Sequence, residues 1–572
     1  MTIRMFKRSV LLIVGFVLVL DASVRAQTGQ VCSRDGVVVT ASAPATAVGV
    51  EILRRGGNAV DAAVAVGFAL AVTHPQAGNI GGGGFMLVRL ESGKADCIDF
   101  RETAPLASSR DMYLDSLGKP VENMSLLGAM ASGVPGTVAG LYKAHELYGS
   151  MPWRELLLPA VSLARDGFAV SEKLASSLRE LQPYKGRFPA LLQFMRKDGA
   201  ALEPGDTLRQ ETLAGTLERI ADSGPDAFYR GPVAEAIVAE MRSGGGIISM
   251  EDLAGYTARE RDPVRGLYRG YEIISAPPPS SGGTTLIEIL NILEGYDLGA
   301  MGFMSDHSIH YVVEAERRAY ADRARYLGDP DFVNNPVSRL ISKDYAAALR
   351  ESITPRATPS SDLPAQPQTD REKNETTHYS IIDGKGDAVA VTYTLNDSFG
   401  SKVLVRGAGF LLNNEMDDFS IKAGHPNLYG LVGSEANAIE PGKRMLSSMA
   451  PTIVLKNAKV FLIAGTPGGA TIITTVAQII MDTVDFGMTL EEAVSAPRFH
   501  HQWLPDCISV EKQMLGIYLR RNLMEKGHTI EDRDKPIGDA QVIEVVGPAA
   551  CGVSDPRGDG SAGGVESAQP RR

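Results

Sequence analysis

Cysteine and histidine are scarce in this sequence, and neither is grouped as metal ligands are. The 572 residues include 4 cysteines with no Cys-x-x-Cys spacing, namely Cys32, Cys97, Cys507 and Cys551. The 9 histidines form no pair at the spacing of zinc ligands on a helix, and His500 and His501 are adjacent. We therefore expect no metal site, no cofactor and no dense disulfide framework. One or two disulfides and buried free thiols both stay open.

Basic charge and long apolar runs are also lacking. Lys and Arg number 57 against 68 Asp and Glu, a net charge of −11. This excludes a general surface for nucleic acids or anionic membranes and favours small polar substrates. The apolar run of residues 10–20 is too short for a comfortable membrane span, and no stable span is expected. It follows Arg4, Lys7 and Arg8 and precedes a small-residue segment that ends at Ala26.

This N-terminal pattern is typical of a secretory signal peptide, which we assign to residues 1–26. We expect cleavage after Ala26, with an uncleaved membrane anchor as the alternative. The mature protein is then exported, to the periplasm or the medium. N-terminal sequencing that found Met1 on the exported protein would contradict the cleavage.

The rest of the chain has a globular composition, with 44% hydrophobic and 22% charged residues. Helical patterns occupy residues 42–73 and much of 147–349, and the chain becomes strand-rich after residue 376. This alternation predicts an α+β fold with helices packed over sheets. The four glycines at 81–84 lack the Gly-Lys-Ser/Thr of a phosphate loop and indicate close backbone packing. We predict an exposed linker at 354–375 and a disordered tail at 555–572.

Two adjacent threonines, Thr376 and Thr377, begin a strand pattern deep inside the chain. A threonine hydroxyl is a weak nucleophile unless a base lies beside it. Cutting the chain before Thr376 would make its own α-amine that base. The alternative is an ordinary strand that begins with threonine, since this residue favours strands.

The residues after Thr376 predict a β-hairpin whose turn is at 384–387. If Asp383 faces Asp387 across the turn, Thr376 lies opposite Thr394, and Asn396 follows on the same face. A second hydroxyl would therefore flank the candidate nucleophile. A register slip of one residue would bring Leu395 opposite Thr376 instead.

Several motifs resemble those of the γ-glutamyltransferase family and occur in the family's order over nearly the whole chain after residue 26. They are residues 75–86, Phe100-Arg101-Glu102-Thr103-Ala104-Pro105, Tyr326-Leu327-Gly328-Asp329-Pro330, Thr376-Thr377-His378-Tyr379, Thr394-Leu395-Asn396, Asn413-Asn414-Glu415-Met416-Asp417-Asp418-Phe419, Leu446-Ser447-Ser448-Met449-Ala450-Pro451-Thr452 and Gly465-Thr466-Pro467-Gly468-Gly469.

The resemblance implies the four-layer αββα sandwich of the N-terminal nucleophile hydrolases, built from two autoproteolytic subunits. It implies self-cleavage between Glu375 and Thr376, which gives a large subunit of residues 27–375 and a small catalytic subunit of 376–572. The two subunits would stay together as a heterodimer because they share a buried core.

The resemblance also implies the reaction: hydrolysis or transfer of the γ-glutamyl group of glutathione through an ester on Thr376, with water, an amino acid or a dipeptide as acceptor. By the same resemblance, Thr394 orients the nucleophile, and the N–H groups of Gly468 and Gly469 hold the oxyanion. The implied contacts to the glutamyl group are Arg101, Ser447 and Ser448 for its carboxylate, and Asn396, Glu415 and Asp418 for its amine.

Residues 424–442 resemble the family's lid loop, with Tyr429 as its gate, and Met445 stands where many relatives have proline. The lid favours a small covered pocket over an open site for polymeric glutamate. A close alternative is an acylase that removes glutaryl side chains from β-lactams. Asp418 and Tyr429 favour a glutamyl group that carries an amine. From another class, a processed but inactive binding protein is disfavoured because Thr376, Thr394 and both glycines are present.

Overall fold

The computed structural model describes residues 29–363, 376–422 and 424–566. The strands of these ranges are β1 (Val31–Ser33), β2 (Gly36–Thr40), β3 (Gly83–Arg89), β4 (Ala95–Asp99), β5 (Phe168–Ala169), β6 (Thr207–Leu208), β7 (Arg259–Arg261), β8 (Val264–Tyr268), β9 (Tyr271–Ser275), β10 (Thr377–Asp383), β11 (Ala388–Thr394), β12 (Thr452–Lys456), β13 (Lys459–Ala464), β14 (Phe499–His500), β15 (Ile508–Glu511), β16 (Ile530–Arg533), β17 (Gln541–Val546), β18 (Ala549–Ser554) and β19 (Ser561–Gly564).

The α-helices of the same ranges are α1 (Ala43–Arg54), α2 (Ala59–Thr73), α3 (Thr137–Tyr148), α4 (Trp153–Asp166), α5 (Glu172–Arg179), α6 (Glu211–Ser223), α7 (Asp226–Tyr229), α8 (Pro232–Gly244), α9 (Met250–Gly255), α10 (Gly282–Leu293), α11 (Leu298–Met301), α12 (Asp306–Tyr326), α13 (Val337–Leu340), α14 (Lys343–Glu351), α15 (Thr471–Val484), α16 (Leu490–Ser495) and α17 (Ile517–Glu525).

Two seven-stranded antiparallel sheets form the centre of the molecule. Sheet I has the strand order β1-β18-β17-β13-β12-β9-β8, and sheet II has the order β19-β2-β10-β11-β3-β4-β7. Two smaller sheets, β14-β15-β16 and β5-β6, lie apart from them. Each large sheet contains strands from before and after the predicted cut site at residues 375 and 376. The two predicted subunits are therefore interleaved within both sheets.

Three apolar clusters define four layers. On β2, Val38 points into a core formed with α1, α2 and α4, whereas Val37 and Val39 point into a core between the two sheets. A third core joins sheet I to α10, α12 and α15. Successive side chains of a strand face opposite sides, so one strand serves two cores. The predicted αββα sandwich is confirmed.

Helix α2 is the most deeply buried helix of the layer over sheet II. All of its residues are buried, which agrees with its sequence of alanine, valine and other apolar side chains. Asn58 caps its N-terminus by accepting the backbone N–H of Asp61, and the Asp61 carboxylate accepts the N–H of Asn58. This capping box satisfies two backbone donors at the helix start. The hydroxyl of Tyr379 on β10 donates to the Ala63 carbonyl, which ties the hairpin to this helix.

The β10–β11 hairpin has the register predicted from the sequence. Thr377 pairs with Tyr393, and Ile382 pairs with Ala388. The Asp383 carboxylate accepts the backbone N–H groups of Lys385, Gly386 and Asp387, which fixes the turn. Strands β2 and β3 flank the hairpin on its two sides. Thr376, directly before β10, is thus held at the edge of the two-sheet core.

A disulfide joins Cys32 on β1 to Cys551 on β18, 519 residues apart in sequence. Cys97 is buried as a free thiol, and Cys507 is a partly buried free thiol. Both alternatives that the sequence left open for its cysteines therefore occur.

Two predictions about irregular segments are wrong in part. Residues 555–566 are ordered because β19 pairs with β2 at the edge of sheet II. In the predicted linker, Ser360 is 1% exposed and donates to the Trp503 carbonyl, so residues near 360 are anchored to the later part of the chain. The rest of the linker, 364–375, and the end of the tail, 567–572, lie outside the described residues, as do residues 1–28. In the described part of the chain, none of the helices combines the length and apolar character needed to cross a bilayer.

Candidate active site

A cavity of about 20 Å³ collects most of the residues that the sequence predicted for the site. Its lining includes Thr376, Thr394, Gly469, Arg101, Asn396, Asp418, Tyr429, Ser447 and Ser448. The other predicted residues are adjacent or outside: Gly468 lines a neighbouring cavity, Glu415 is buried against Arg101, and Glu375 lies outside the described residues. A volume of this size holds roughly one water molecule, so the site is nearly closed.

Thr376 lies between two cavities. It is 4% exposed, and it lines both the small cavity and a second one of about 470 Å³. The second cavity also contacts Gly468, His74, Gln76, Asp539, Lys173 and Lys535. A group bound at the hydroxyl of Thr376 could therefore extend into the small cavity on one side and into the larger one on the other.

Thr394 ends β11 and shapes the chain that follows it. Its Oγ1 accepts the backbone N–H of Asn396 at 2.8 Å, and its carbonyl accepts from the Asn79 side chain. Asn396 has a φ of 80°, in the left-handed region that few residues other than glycine and asparagine adopt. Its amide Nδ2 donates to the Asn414 carbonyl at 3.0 Å. The hydroxyl of Thr394 thus holds the turn that brings the Asn396 side chain to the cavity.

Arg101 forms the centre of a buried charge cluster. Its guanidinium lies 2.6 Å from Glu415 and 2.5 Å from Asp418, with Glu102 at 3.5 Å. The sequence assigned Arg101 to a carboxylate and the two nearer acids to an amine; in the structure these opposite charges pair with each other. Burial raises the pKa of Glu415 and of Asp418, and Arg101 opposes both shifts. Burial likewise raises the pKa of Glu102 to about 8.

Ser447 and Ser448 lie in a turn that is fixed from behind. The backbone N–H of Ser447 donates to the Pro279 carbonyl, and the N–H of Ser281 donates to the Ser447 carbonyl at 2.8 Å. The Oγ of Ser448 accepts from Nη2 of Arg323 at 2.9 Å. Both serines line the small cavity and are buried. They can therefore present hydroxyl groups to a bound molecule.

Gly468 and Gly469 form the turn that leads into α15. Their φ values are 139° and 54°, which favour glycine. A Cβ at Gly469 would lie 2.4 Å from the ring of Tyr429, so this position has no room for a side chain. The Gly468 carbonyl accepts from the hydroxyl of Thr471 at 2.8 Å. The turn is thus rigid and closely covered.

The loop of residues 424–442, which the sequence predicts as a lid, covers the cavity with Tyr429 and Leu431. The Tyr429 hydroxyl donates to the Asn396 carbonyl at 2.5 Å, and Asn427 donates to Asp418 at 2.9 Å. The backbone N–H of Leu428 donates to Asp417 at 2.7 Å. Burial raises the pKa of Asp417 to about 6, against the opposing hydrogen bond from Ser125. Three successive lid residues are therefore anchored on the site.

Sequence reasoning missed several residues of the site. Leu431, Met449 and Ile472 supply apolar lining to the small cavity. Asp417 and Arg323 hold the lid and the serine turn from behind. Asp417 belongs to a motif that the sequence had identified, and Arg323 precedes another by three residues. Among the described residues, no group of three or more His, Cys, Asp or Glu side chains is arranged to hold a metal ion.

Comparisons with known proteins show to which family the chain is similar. A family model described as gamma-glutamyltranspeptidase matches residues 45–565. The chain is 51% identical over 532 residues to the glutathione hydrolase proenzyme of Escherichia coli strain K12, across 92% of this chain and 91% of that protein.

Two crystal structures are similar to this fold. The cephalosporin acylase from Bacillus halodurans matches with a TM-score of 0.83 and 27% identity, across 96% of this chain and 99% of that one. The gamma-glutamyltranspeptidase of Helicobacter pylori matches with a TM-score of 0.56 and 47% identity, across 56% of this chain and 93% of that chain.

Proposed function

This chain belongs to the γ-glutamyltranspeptidase family, and from that membership we propose that it is a glutathione hydrolase and γ-glutamyltransferase made as a proenzyme. The observation that carries the proposal is the cavity where Thr376 meets a guanidinium, buried carboxylates and two serine hydroxyls. A γ-glutamyl group carries a carboxylate and an ammonium on one carbon, and this cavity offers partners for both charges next to a nucleophile.

Maturation begins with Thr376 acting on its own chain. Its hydroxyl oxygen attacks the carbonyl carbon of Glu375, the C–N bond breaks, and the acyl group moves to oxygen as an ester. Breaking the C–N bond frees the α-amine of Thr376, and water then hydrolyses the ester, which releases the carboxylate of Glu375 and restores the hydroxyl of Thr376. A large subunit of residues 27–375 and a small one of 376–572 result, after loss of residues 1–26 on export. The position of Thr376 directly before β10 supports this assignment.

The experiment that tests the cut compares wild type, Thr376→Ala and Thr377→Ala on denaturing gels with intact masses. Thr377 is the matched control, since it is the neighbouring buried threonine and its hydroxyl has no hydrogen-bond partner in the described residues. We expect wild type and Thr377→Ala to give fragments that meet at Glu375 and Thr376, and Thr376→Ala to stay whole. A cut Thr376→Ala protein would overturn the assignment.

In the mature enzyme, the α-amine of Thr376 serves as general base for its own hydroxyl. An unperturbed α-amine has a pKa of about 7.7–8.0, close to neutral pH, as a general base requires. The oxygen of Thr376 attacks the γ-carbonyl carbon of the donor, and the N–H groups of Gly468 and Gly469 receive the developing oxyanion. The α-ammonium protonates the departing amine. A water molecule or an acceptor amine then attacks the resulting ester.

Donor recognition divides between the two charges of the glutamyl group. Ser447, Ser448 and Arg101 are assigned to the α-carboxylate, and Asn396, Glu415 and Asp418 to the α-ammonium. A bound ammonium would take over part of the negative charge that Arg101 now neutralises. A glutamyl group is larger than the present cavity, so the lid with Tyr429 has to move for it to enter.

The larger cavity is assigned to the rest of the donor and to the acceptor amino acid or dipeptide. It adjoins Thr376 and Gly468, and the exposed Lys173 and Lys535 lie on it. Glu180, Asp539 and Asp559 line the same cavity, and within this mixed lining the two lysines suit the terminal carboxylate of cysteinylglycine or of a dipeptide acceptor. The two lysines lie on the larger cavity, so they support the assignment independently of the residues that line the small cavity.

A double variant, Lys173→Ala with Lys535→Ala, tests this assignment. We expect KM to rise about three- to tenfold for glutathione and for a dipeptide acceptor, the range expected of exposed charge pairs. KM for γ-glutamyl-p-nitroanilide should stay constant, because its leaving group has no carboxylate. Lys512→Ala, an exposed lysine away from this cavity, is the control. Equal changes for both donors would contradict the assignment.

A glutaryl acylase is the second candidate, because a cephalosporin acylase has a similar fold. A glutaryl group has the carboxylate but lacks the amine. The buried carboxylate of Glu415 and the partly buried carboxylate of Asp418 favour a substrate with a positive charge. Rates with γ-glutamyl and glutaryl anilides discriminate the two, and a preference for glutaryl would overturn the glutamyl assignment.

A further inference from the structure

Arg323 is a buried cation that the reaction outlined above does not use. It lies near the C-terminal end of α12, is 5% exposed, and makes hydrogen bonds to two serines: Nε donates to Ser281 Oγ at 2.8 Å and Nη2 donates to Ser448 Oγ at 2.9 Å. Among the carboxylates that the structure describes, none forms an ion pair with it. Burial lowers its pKa to about 10, so the side chain stays charged at neutral pH. Buried arginines ordinarily have an anionic partner, so the absence of an ion pair at Arg323 among the described residues calls for an explanation.

The hydrogen bonds of Arg323 determine which way the serine hydroxyls point. A guanidinium has donors only, so Ser448 Oγ must accept from it, and the hydroxyl hydrogen of Ser448 is left for another partner. Ser281 Oγ likewise accepts from Arg323 and donates to the Ser447 carbonyl at 2.6 Å. Ser447 Oγ accepts the backbone N–H of Met449 at 3.1 Å, which leaves its hydrogen available as well. Both cavity serines are therefore arranged as donors.

The distribution of charge around the cavity also indicates an anionic ligand. The guanidinium of Arg101 is already matched by Glu415 and Asp418, with Glu102 as a third acid nearby. A carboxylate that entered would compete with these acids for the guanidinium of Arg101 and would need further donors. Behind Ser448, Arg323 carries a positive charge that forms no ion pair within the described residues and acts on Asp418 only from a distance, where it opposes the rise in the pKa of that carboxyl. Two hydroxyl donors backed by this cation form a site suited to an anion.

We propose that Arg323 is a positioning residue that makes the enzyme select acyl donors with a carboxylate on the α-carbon. It acts on Ser448 by orienting its hydroxyl hydrogen towards the donor, on the backbone of Ser447 through Ser281, and on both serines by supplying the charge behind them. The inference rests on the proposed γ-glutamyl function and adds a side chain that helps to recognise the α-carboxylate of the donor.

Two donors that differ by one group test the inference: γ-glutamyl-p-nitroanilide and 4-aminobutyryl-p-nitroanilide, which keeps the amine but lacks the carboxylate. For processed Arg323→Met we expect kcat/KM with the γ-glutamyl donor to fall about 10- to 100-fold, mainly through KM, the effect of losing a hydrogen bond to a charged group. The 4-aminobutyryl donor should change less than about threefold. Ser448→Ala should reproduce the loss, and adding Arg323→Met to it should lower the rate little further.

Control variants separate this role from a structural one. Arg325→Met, an exposed arginine on the same helix, should leave both donors unchanged. If Arg323→Met fails to fold or to process, Arg323→Lys and Ser281→Ala carry the test, with a smaller loss confined to the γ-glutamyl donor. Equal losses with both donors, no loss, or additive effects with Ser448→Ala would overturn the inference. A wild-type protein that turned over neither anilide would instead overturn the proposed function, and this inference with it.

Discussion

Gly469 illustrates how little space the active-site turn leaves for any atom beyond the backbone. Its φ of 54° is unfavourable for most residues, and the ring of Tyr429 lies where a Cβ would be. Gly487 has a similar φ of 64° but has no atoms within 4 Å of an added Cβ. A comparison of substitutions at the two glycines therefore distinguishes the effect of backbone strain from that of steric conflict at the site.

We expect Gly469→Ala to lower kcat about 100-fold or more, because the ring and the proposed oxyanion N–H cannot both keep their positions. Gly487→Ala should cost about 1 kcal/mol of folding free energy, from backbone strain alone, and keep full kcat. Steady-state rates with γ-glutamyl-p-nitroanilide and thermal melting measure the two effects. Equal activity of the two variants would show that the turn tolerates a side chain.

Tyr429 closes the lid through one hydrogen bond to the Asn396 carbonyl. Tyr429→Phe removes about 1 kcal/mol of closure energy, so we expect KM for the γ-glutamyl donor to rise about fivefold. Tyr113→Phe is the matched control, because the hydroxyl of the buried Tyr113 also donates to a backbone carbonyl, that of Met130, away from the cavity. It should lose stability without a change in KM. A normal KM in Tyr429→Phe would mean that the lid closes without this bond.

At the scale of single residues, the sequence predicted the residues of the site better than the residues with which they pair. Thr376 was identified because a hydroxyl at a strand start, with Thr394 opposite, follows from strand periodicity alone. The Arg101 position came from a motif, but its pairing with Glu415 and Asp418 depends on two distant segments that meet only in the fold. Arg323 had no periodic signal, since a charged residue in a helix pattern is ordinarily assigned to the solvent side.

Among the elements, α15 carries an acid where its apolar surroundings disfavour charge. Asp482 is 5% exposed, and burial raises its pKa to about 8, with Arg498 opposing. A carboxyl whose folded pKa exceeds its unfolded value of about 3.9 costs stability as the pH rises between the two. Below that window the group is protonated in both states and costs nothing.

We therefore expect Asp482→Asn to melt above the wild type at pH 8.5 and to lose most of that advantage at pH 5. The gain should grow by at most about 1.4 kcal/mol per pH unit across the window. Glu492→Gln on α16 is the control of opposite sign, because hydrogen bonds from Thr489 lower the pKa of Glu492. It should show no gain at pH 8.5. The same gain for Asp482→Asn at both pH values would contradict a raised pKa.

Elements were the easiest features to predict from the sequence. The hairpin register, the apolar helix α2 and the strand–helix succession after residue 450 follow from periods of 2 and 3.6 and from turn residues. Strand β19 was missed because two of its four residues are glycine and the strand has no apolar alternation. Its order comes from pairing with β2, which no local pattern encodes.

At the scale of the whole molecule, the proposed cut leaves the two subunits interleaved. Strand β2 of the large subunit lies between β19 and β10 of the small one, and β18 of the small subunit pairs with β1 of the large one. The disulfide between Cys32 and Cys551 connects the same two strands. After cleavage it would join two chains rather than close a loop.

We expect processed wild type to migrate as one band without reductant and as two bands with it. Export to an oxidising compartment allows this disulfide to form. Cys32→Ser should give two bands in both conditions and retain activity, since the shared sheets still hold the subunits. Cys507→Ser should behave as the wild type. Two bands from unreduced wild type would show that the subunits are held by packing alone.

The interleaving of β2 between two strands of the other subunit has a consequence for how the mature enzyme responds to dilution. Two chains that met at a surface would separate as their concentration fell. Here, parting them would mean tearing both sheets, which is unfolding rather than dissociation. The cut thus provides a new amine without introducing an association equilibrium, and activity per molecule should be the same at nanomolar and micromolar concentration.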